Sequence, residues 1–229
     1  MKTLLVFPSA REASAVKLRR PPLICGAGDL AGEAVADRLR GEKPGLVLLA
    51  GFCGALDPSL VAGDVILGRQ VAMEGHDILE PDRFVAEEVR DALHAQGLQF
   101  VYSRLLTLEH PAATTDEKRD LWNVHGAGGV DMETYQVAAA CKAAGVRWLV
   151  VRSVIDTAHQ TLPLGLARWR QPGDEGGMLY GIRRPQDWKK YGTLARQYPT
   201  AKRALGQAIP RIIRAAKNAK TVETLDLVV

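Results

Sequence analysis

Short unbroken apolar runs along this chain alternate with longer stretches in which apolar residues recur every three or four positions. The runs predict strands and the stretches predict helices. Thr3–Phe7 and Pro22–Cys25 read as strands, with a short helix over Ala10–Leu18 between them. Gly26-Ala27-Gly28-Asp29 reads as a tight turn with an N-cap residue, opening a helix from Leu30 to about Arg40. Gly45–Gly51 is apolar throughout, as expected of a strand buried on both faces. Gly51-Phe52-Cys53-Gly54 then predicts a turn, and Asp57-Pro58 the start of a helical turn. Further strands are expected at Asp64–Leu67, within Leu98–Leu108 and over Val146–Ile155. Helices are expected at Asp82–Ala95, ending at Gly97, at Thr115–Trp122, and at Glu133–Ala144, stopped by Gly145. Thr157–Pro185 is rich in Gly and Pro and reads as a loop. Gln186–Lys220 reads as helix interrupted near Pro199 and Pro210, because proline removes a hydrogen bond and clashes with the preceding turn. Strands alternating with helices predict one α/β layered domain.

Composition narrows the picture. At 229 residues, 47% of them apolar, the chain has the size of a single domain and enough apolar residues for a sizeable core. Its longest apolar runs, around Leu46–Leu49 and Trp148–Val151, are of strand length and too short to span a bilayer. Leu4–Phe7 after Lys2 is read as the first strand, not a signal peptide, since no small-residue cleavage site follows. Cys25, Cys53 and Cys141 are odd in number, far apart and inside apolar elements, which predicts buried thiols in a reducing compartment. The five histidines lack metal-ligand spacing. The expectation is a cytoplasmic protein with no metal and no cofactor.

Charge is unevenly spread. Eleven Lys or Arg lie between Arg183 and Lys220 against one acid, Asp187, a surplus of ten in a chain of net charge +4. The remainder is therefore net acidic. A solvated helix face is the commoner meaning of such a run; an anionic membrane surface or nucleic acid is the sharper one. Trp169, Trp188, Tyr191, Ile212 and Ile213 lie among or just before these charges, so peripheral membrane contact is a possible use of the tail.

The chemistry concentrates between Val130 and Asp156. Glu133 opens a helix, and Arg152 and Asp156 lie at the far end of the strand that follows it. A helix and a buried strand run out and back, so the residues between do not separate the two acids in space. Such an arrangement suits a neutral, polar small molecule. Read alone, Asp131 caps the helix and Glu133 decorates its first turn. Val130-Asp131-Met132-Glu133 and Val150-Val151-Arg152-Ser153-Val154-Ile155-Asp156 together resemble the signature of the nucleoside phosphorylase superfamily, in the branch of the methylthioadenosine/S-adenosylhomocysteine nucleosidases. The resemblance implies a three-layer α/β domain with a mixed central sheet flanked by helices. It implies that Met132 packs on the sugar and that Glu133 accepts hydrogen bonds from the ribose hydroxyls, as an ionised carboxylate can. It implies that Asp156 is the general acid that protonates the purine at N7, a role that typically contributes about 10²–10⁴-fold. Asp131, where the family more often has Glu, is left as a helix cap.

The same resemblance implies that Glu12 is the base activating a water, assisted by Arg152, although many members carry two or three consecutive acids there and this chain has Ala13 next. It also implies that the Gly51-Phe52-Cys53-Gly54 segment lets the backbone approach purine and ribose. Members that use phosphate carry an Arg just before this segment and a Ser or Thr inside it, where this chain has Leu49 and Phe52. That departure, together with Glu12, favours water as nucleophile; an Arg from elsewhere, such as Arg11, would restore a phosphate site. The compact Gly26–Asp29 start, Leu56-Asp57-Pro58, Ala113–Lys118 and Leu162-Pro163-Leu164 look like the hopanoid-associated phosphorylases, a family implicated in removing adenine from adenosylhopane. The expectation is a nucleosidase releasing adenine from a 5′-substituted adenosine, acting as a homodimer and binding no nucleic acid. The alternatives are a phosphate-dependent phosphorylase, a methylthioadenosine/S-adenosylhomocysteine nucleosidase or futalosine hydrolase, and a non-catalytic nucleoside-binding protein.

Overall fold

The computed structural model describes residues 2–167 and 184–225. Seven strands form one mixed sheet: β1 (Thr3–Phe7), β2 (Leu23–Ile24), β3 (Leu46–Ala55), β4 (Val65–Ala72), β5 (Val101–Thr107), β6 (Gly129–Asp131) and β7 (Trp148–Asp156). β2, β1, β3 and β7 run parallel in that order. β7 also pairs antiparallel with β4, β4 and β5 pair in parallel, β5 and β6 likewise, and β6 returns antiparallel to the end of β3. Five strands therefore close on one another, and β3 lies at the junction.

Alternate residues of β3 serve two cores, as the period of two along a strand requires. Val47, Leu49 and Cys53 pack with Val35 and Leu39 of helix α2 (Asp29–Gly41) and with Val137 and Cys141 of helix α5 (Thr134–Ala143). Leu46, Leu48 and Ala50 pack with Val85, Val89 and Leu93 of helix α3 (Arg83–Ala95) and with Leu205, Ile209 and Ile212 of the C-terminal helix. The remaining helices among the described residues that precede the C-terminal one are α1 (Ala10–Ala13), α4 (Thr115–His125) and α6 (Leu164–Ala167). A short 3-10 turn, Pro185–Asp187, leads into the C-terminal helix α7 (Trp188–Leu225). The expected mixed sheet flanked by helices is present.

Several boundaries differ from the sequence expectation, each for a physical reason. Gly51-Phe52-Cys53-Gly54 is no turn: all four belong to β3. Neither glycine has positive φ; both are small because the neighbouring strand's side chains need the space. Asp29 is the first residue of α2, and Gly28, at φ +61°, occupies the N-cap position. The first helix is a single turn ending at Ala13, well short of Leu18. Asp57-Pro58 starts no helix, and β4 extends to Ala72. β6 was not expected at all; three residues are too few to show a period.

The C-terminal helix is not interrupted at Pro199 or Pro210. A proline inside a helix costs about 3 kcal/mol. Both prolines sit exposed on the outer face, while Ala201, Leu205, Ala208, Ile209 and Ile212 bury a long stripe against the sheet and offset that cost. Ile212 is therefore core, whereas Trp188 is 60% exposed. Trp169 and Arg183, counted with the basic tail, lie outside the described residues. Among the described residues no helix is long and apolar enough to cross a membrane.

Candidate active site

Glu12 enters the site from α1. Ser9 caps that turn, its hydroxyl accepting from the Glu12 backbone N–H at 3.3 Å. The same hydroxyl donates to Glu12 Oε2 at 2.6 Å. The other oxygen, Oε1, accepts the backbone N–H of Phe52 at 2.8 Å. A helix-start glutamate is ordinarily exposed, but this one is 9% exposed. Burial pushes its carboxyl up, opposed by the Ser9 and Phe52 hydrogen bonds and by the charge of Arg152. The seat depends on α7. Gly206 lies against the Ala15 carbonyl, where a Cβ would come within 2.5 Å of the oxygen. Tyr198 donates to the Arg11 carbonyl at 3.2 Å and stacks edge-on to Phe52 at 5.6 Å.

Arg152 on β7 is fully buried and faces three acids. Its Nη2 lies 2.7 Å from Glu133 Oε1, and its Nε 3.0 Å from Asp131 Oδ2. Nη2 also donates to the Thr134 hydroxyl at 2.6 Å. Nη1 has no hydrogen-bond partner among the described residues. It points over Gly51, its register partner on β3. A Cβ there would be 2.2 Å from Nη1 and 2.7 Å from Glu12 Oε1, so these two atoms are near neighbours and only glycine fits.

Asp131 is more than the helix cap expected of it. Its Oδ1 does accept the backbone N–H groups of Glu133 and Thr134, at 3.2 and 3.1 Å. It also accepts from the Thr107 hydroxyl at 2.9 Å, and its second oxygen is bonded by the Thr134 hydroxyl and paired with Arg152. Glu133 stands at the N-cap position of α5, and its Oε2 accepts the Met132 backbone N–H at 3.2 Å. Burial pushes the Glu133 carboxyl up to about 8; Arg152 pulls it back, while Asp131 and Glu12 push it further. One guanidinium thus faces three carboxyls. Met132 is buried beside them, its carbonyl accepting from the Gly28 N–H at 2.8 Å.

Asp156 lies at the end of β7, past a register shift, opposite Gly54. A Cβ on Gly54 would be 3.0 Å from Asp156 Oδ2. Asp156 is buried, and burial raises its carboxyl; the one opposing influence is Lys118 of α4, which forms a buried ion pair with Oδ2. The Cys53 thiol is pushed well up by burial, and the charges of Arg152, Asp131, Asp156 and Glu133 all reach it. Thus Glu12, Glu133, Met132, Arg152 and Asp156 converge with the Gly51–Gly54 segment. Thr134, Lys118 and Tyr198 join them without having been expected, and Asp131 adds to its expected cap an ion pair with Arg152.

Leu49, at the position of a phosphate-ligating Arg, is buried in the core, and the Phe52 N–H is occupied by Glu12. Arg11 is exposed, and among the described residues its contact with the site is its backbone carbonyl, through Tyr198. Among the described residues no three His, Cys, Asp or Glu side chains are grouped so as to hold a metal ion.

Comparison with known proteins agrees with the fold. Residues 23–169 match the phosphorylase superfamily, and the chain belongs to that family. Among solved structures, S-adenosylhomocysteine nucleosidase from Streptococcus pyogenes, in complex with 5-methylthiotubericidin, superposes with a TM-score of 0.71 at 16% identity, covering 93% of this chain and 96% of that one. Futalosine hydrolase of Helicobacter pylori strain 26695 gives 0.69 at 14% identity, covering 93% and 97%. A 5′-methylthioadenosine/S-adenosylhomocysteine nucleosidase from S. pneumoniae, with a transition-state inhibitor, gives 0.70 at 14% identity, covering 94% and 99%. At these identities the likeness is one of fold.

Proposed function

We propose that the protein is an N-ribosyl hydrolase that releases adenine from a 5′-substituted adenosine. The observation that carries this reading is that two buried carboxyls line one stretch of β3, Glu12 at Gly51 beside the Glu133–Arg152 pair and Asp156 at Gly54. In the proposed reaction Glu133 accepts from the ribose hydroxyls, using lone pairs left free by Arg152 and Met132. Met132 packs on the sugar, and Gly51, Phe52, Cys53 and Gly54 provide the close backbone wall. Asp156 gives its proton to purine N7 as the glycosidic bond breaks. Glu12 takes a proton from the attacking water, and the unpartnered Nη1 of Arg152 holds that water by its oxygen. A carboxylate at the Phe52 N–H, with a core leucine at position 49, leaves a phosphate dianion facing Glu12 and, as cation among the described residues, Arg152, which already pairs with Glu133 and Asp131. This supports water over phosphate.

The names of the superposed nucleosidases favour an adenine nucleoside with a 5′ thio group, and the Ala113–Lys118 and Leu162-Pro163-Leu164 segments favour a lipid-linked one such as adenosylhopane. The test is a panel: adenosine, methylthioadenosine, S-adenosylhomocysteine, futalosine and a lipid-linked adenosine, each followed by chromatography for free base. Adenine should appear from at least one 5′-substituted adenosine. No base from any of the five would reject the reading in favour of a binding protein.

A further inference from the structure

Lys118 is the least expected residue of the site. It is a lysine with no exposed surface, and the one buried residue of α4. A capping box formed by Thr114 and Glu117 fixes the first turn of that helix and sets the direction of the side chain. An ammonium has three N–H donors and no acceptor. All three are used: one on Asp156 Oδ2, one on the Thr157 carbonyl at 2.9 Å and one on the Gln160 carbonyl at 3.0 Å. Lys118 therefore has no donor left to offer a substrate. Everything it does to a bound molecule passes through Asp156 and the turn that follows it.

We infer that Lys118 is a positioning residue for the proposed general acid: its buried ammonium fixes Asp156 through Oδ2 and stabilises the carboxylate left behind when the proton has gone to the base. The inference rests on the reading of Asp156 given above. In the step itself the O–H bond at Oδ1 breaks and a bond from hydrogen to N7 forms. The glycosidic pair of electrons leaves with the base, and Lys118 keeps its three protons throughout. In the proposed cycle Asp156 carries the proton on Oδ1 before transfer, while Oδ2 accepts from Lys118. After it, a carboxylate sits in a site from which water is almost excluded, and an unpaired buried carboxylate is costly. The adjacent ammonium removes that cost at the moment it arises. Its two carbonyl contacts keep it from swinging away, so no reorganisation is needed during the reaction.

Two uncharged replacements separate this role from mere packing. Lys118→Gln keeps amide donors for the Thr157 and Gln160 carbonyls; Lys118→Met keeps the chain length and removes every donor. Both are assayed on the best adenine nucleoside of the panel and on a 4-nitrophenyl riboside with the same 5′ group, whose leaving group departs without a proton. On the nucleoside, kcat should fall by about tenfold or more in either variant, a part of the whole general-acid contribution. On the nitrophenyl riboside it should stay within about threefold of wild type. The basic limb of the nucleoside pH profile should move to higher pH, because losing the cation removes the one influence that opposes burial at Asp156. A purely structural lysine would slow both substrates alike and leave the limb in place, and that result in the Gln variant would overturn the inference. Equal nucleoside rates in wild type and the Gln variant would overturn it too, leaving the function intact. A wild-type protein that cleaves neither substrate would remove the function and this inference together.

Discussion

Asp156→Asn should lower kcat on adenine nucleosides by at least about two orders of magnitude while leaving substrate binding within a few-fold, since an amide of the same shape has no proton to transfer. The expected split follows from where the residue acts. Adenine leaves poorly as an anion, so the acid is needed in the transition state and not in the ground state. Burial raises the Asp156 carboxyl, and Lys118 opposes that rise. Turnover with the bound-state affinity measured separately, by calorimetry, distinguishes the two effects. A variant within a few-fold of the wild-type rate would remove Asp156 from the chemistry.

The second large effect is on stability. Arg152→Met should destabilise the fold by about 3–5 kcal/mol in urea unfolding, the usual consequence of removing one partner of a buried ion pair. Glu133 and Asp131 would lose their only paired cation among the described residues, and Glu12 the positive charge that opposes its burial. The variant should also recover stability as the pH is lowered from 8 to 6. With Arg152 gone, Glu133 and Glu12 hold their protons to higher pH in the folded state than in the unfolded state. The folded state then binds more protons in this window, so stability falls as pH rises and returns as pH falls. A variant as stable as the wild type, or one that gains stability with rising pH, would mean that the three acids do not depend on the guanidinium.

The parts of this site that were legible in the sequence are those held by local spacing. The Asp131-Met132-Glu133 run opens α5, and Arg152 and Asp156 lie on one strand, so a single helix and strand bring them together. Glu12 was legible through the family likeness, while its Ser9-x-x-Glu12 spacing alone reads as a helix cap. What turns that cap into a buried catalytic candidate is the Phe52 N–H forty residues away and the Gly206 contact from α7, neither of which leaves a local trace. Lys118 was hidden for a related reason. Most of α4 is polar, and periodicity cannot mark one charged residue among several as the buried one. Asp131 was read as a cap and is one, but its second oxygen faces Arg152 across the β6–β3–β7 junction, a closure that three-residue β6 gives no pattern to predict. The tail prolines misled because propensity counts the lost hydrogen bond and not the stripe of Leu205, Ile209 and Ile212 that holds the helix in place.

The central claim is that Glu12 and Asp156 act on opposite ends of one glycosidic bond with water as the nucleophile. The most direct measurement follows the best substrate of the panel in phosphate-free buffer and again with millimolar phosphate, quantifying free base by absorbance and any sugar phosphate by phosphorus NMR. The account predicts complete release of adenine without phosphate, an unchanged rate on adding it, and no ribose 1-phosphate product. Release that requires phosphate and yields the sugar 1-phosphate would contradict it.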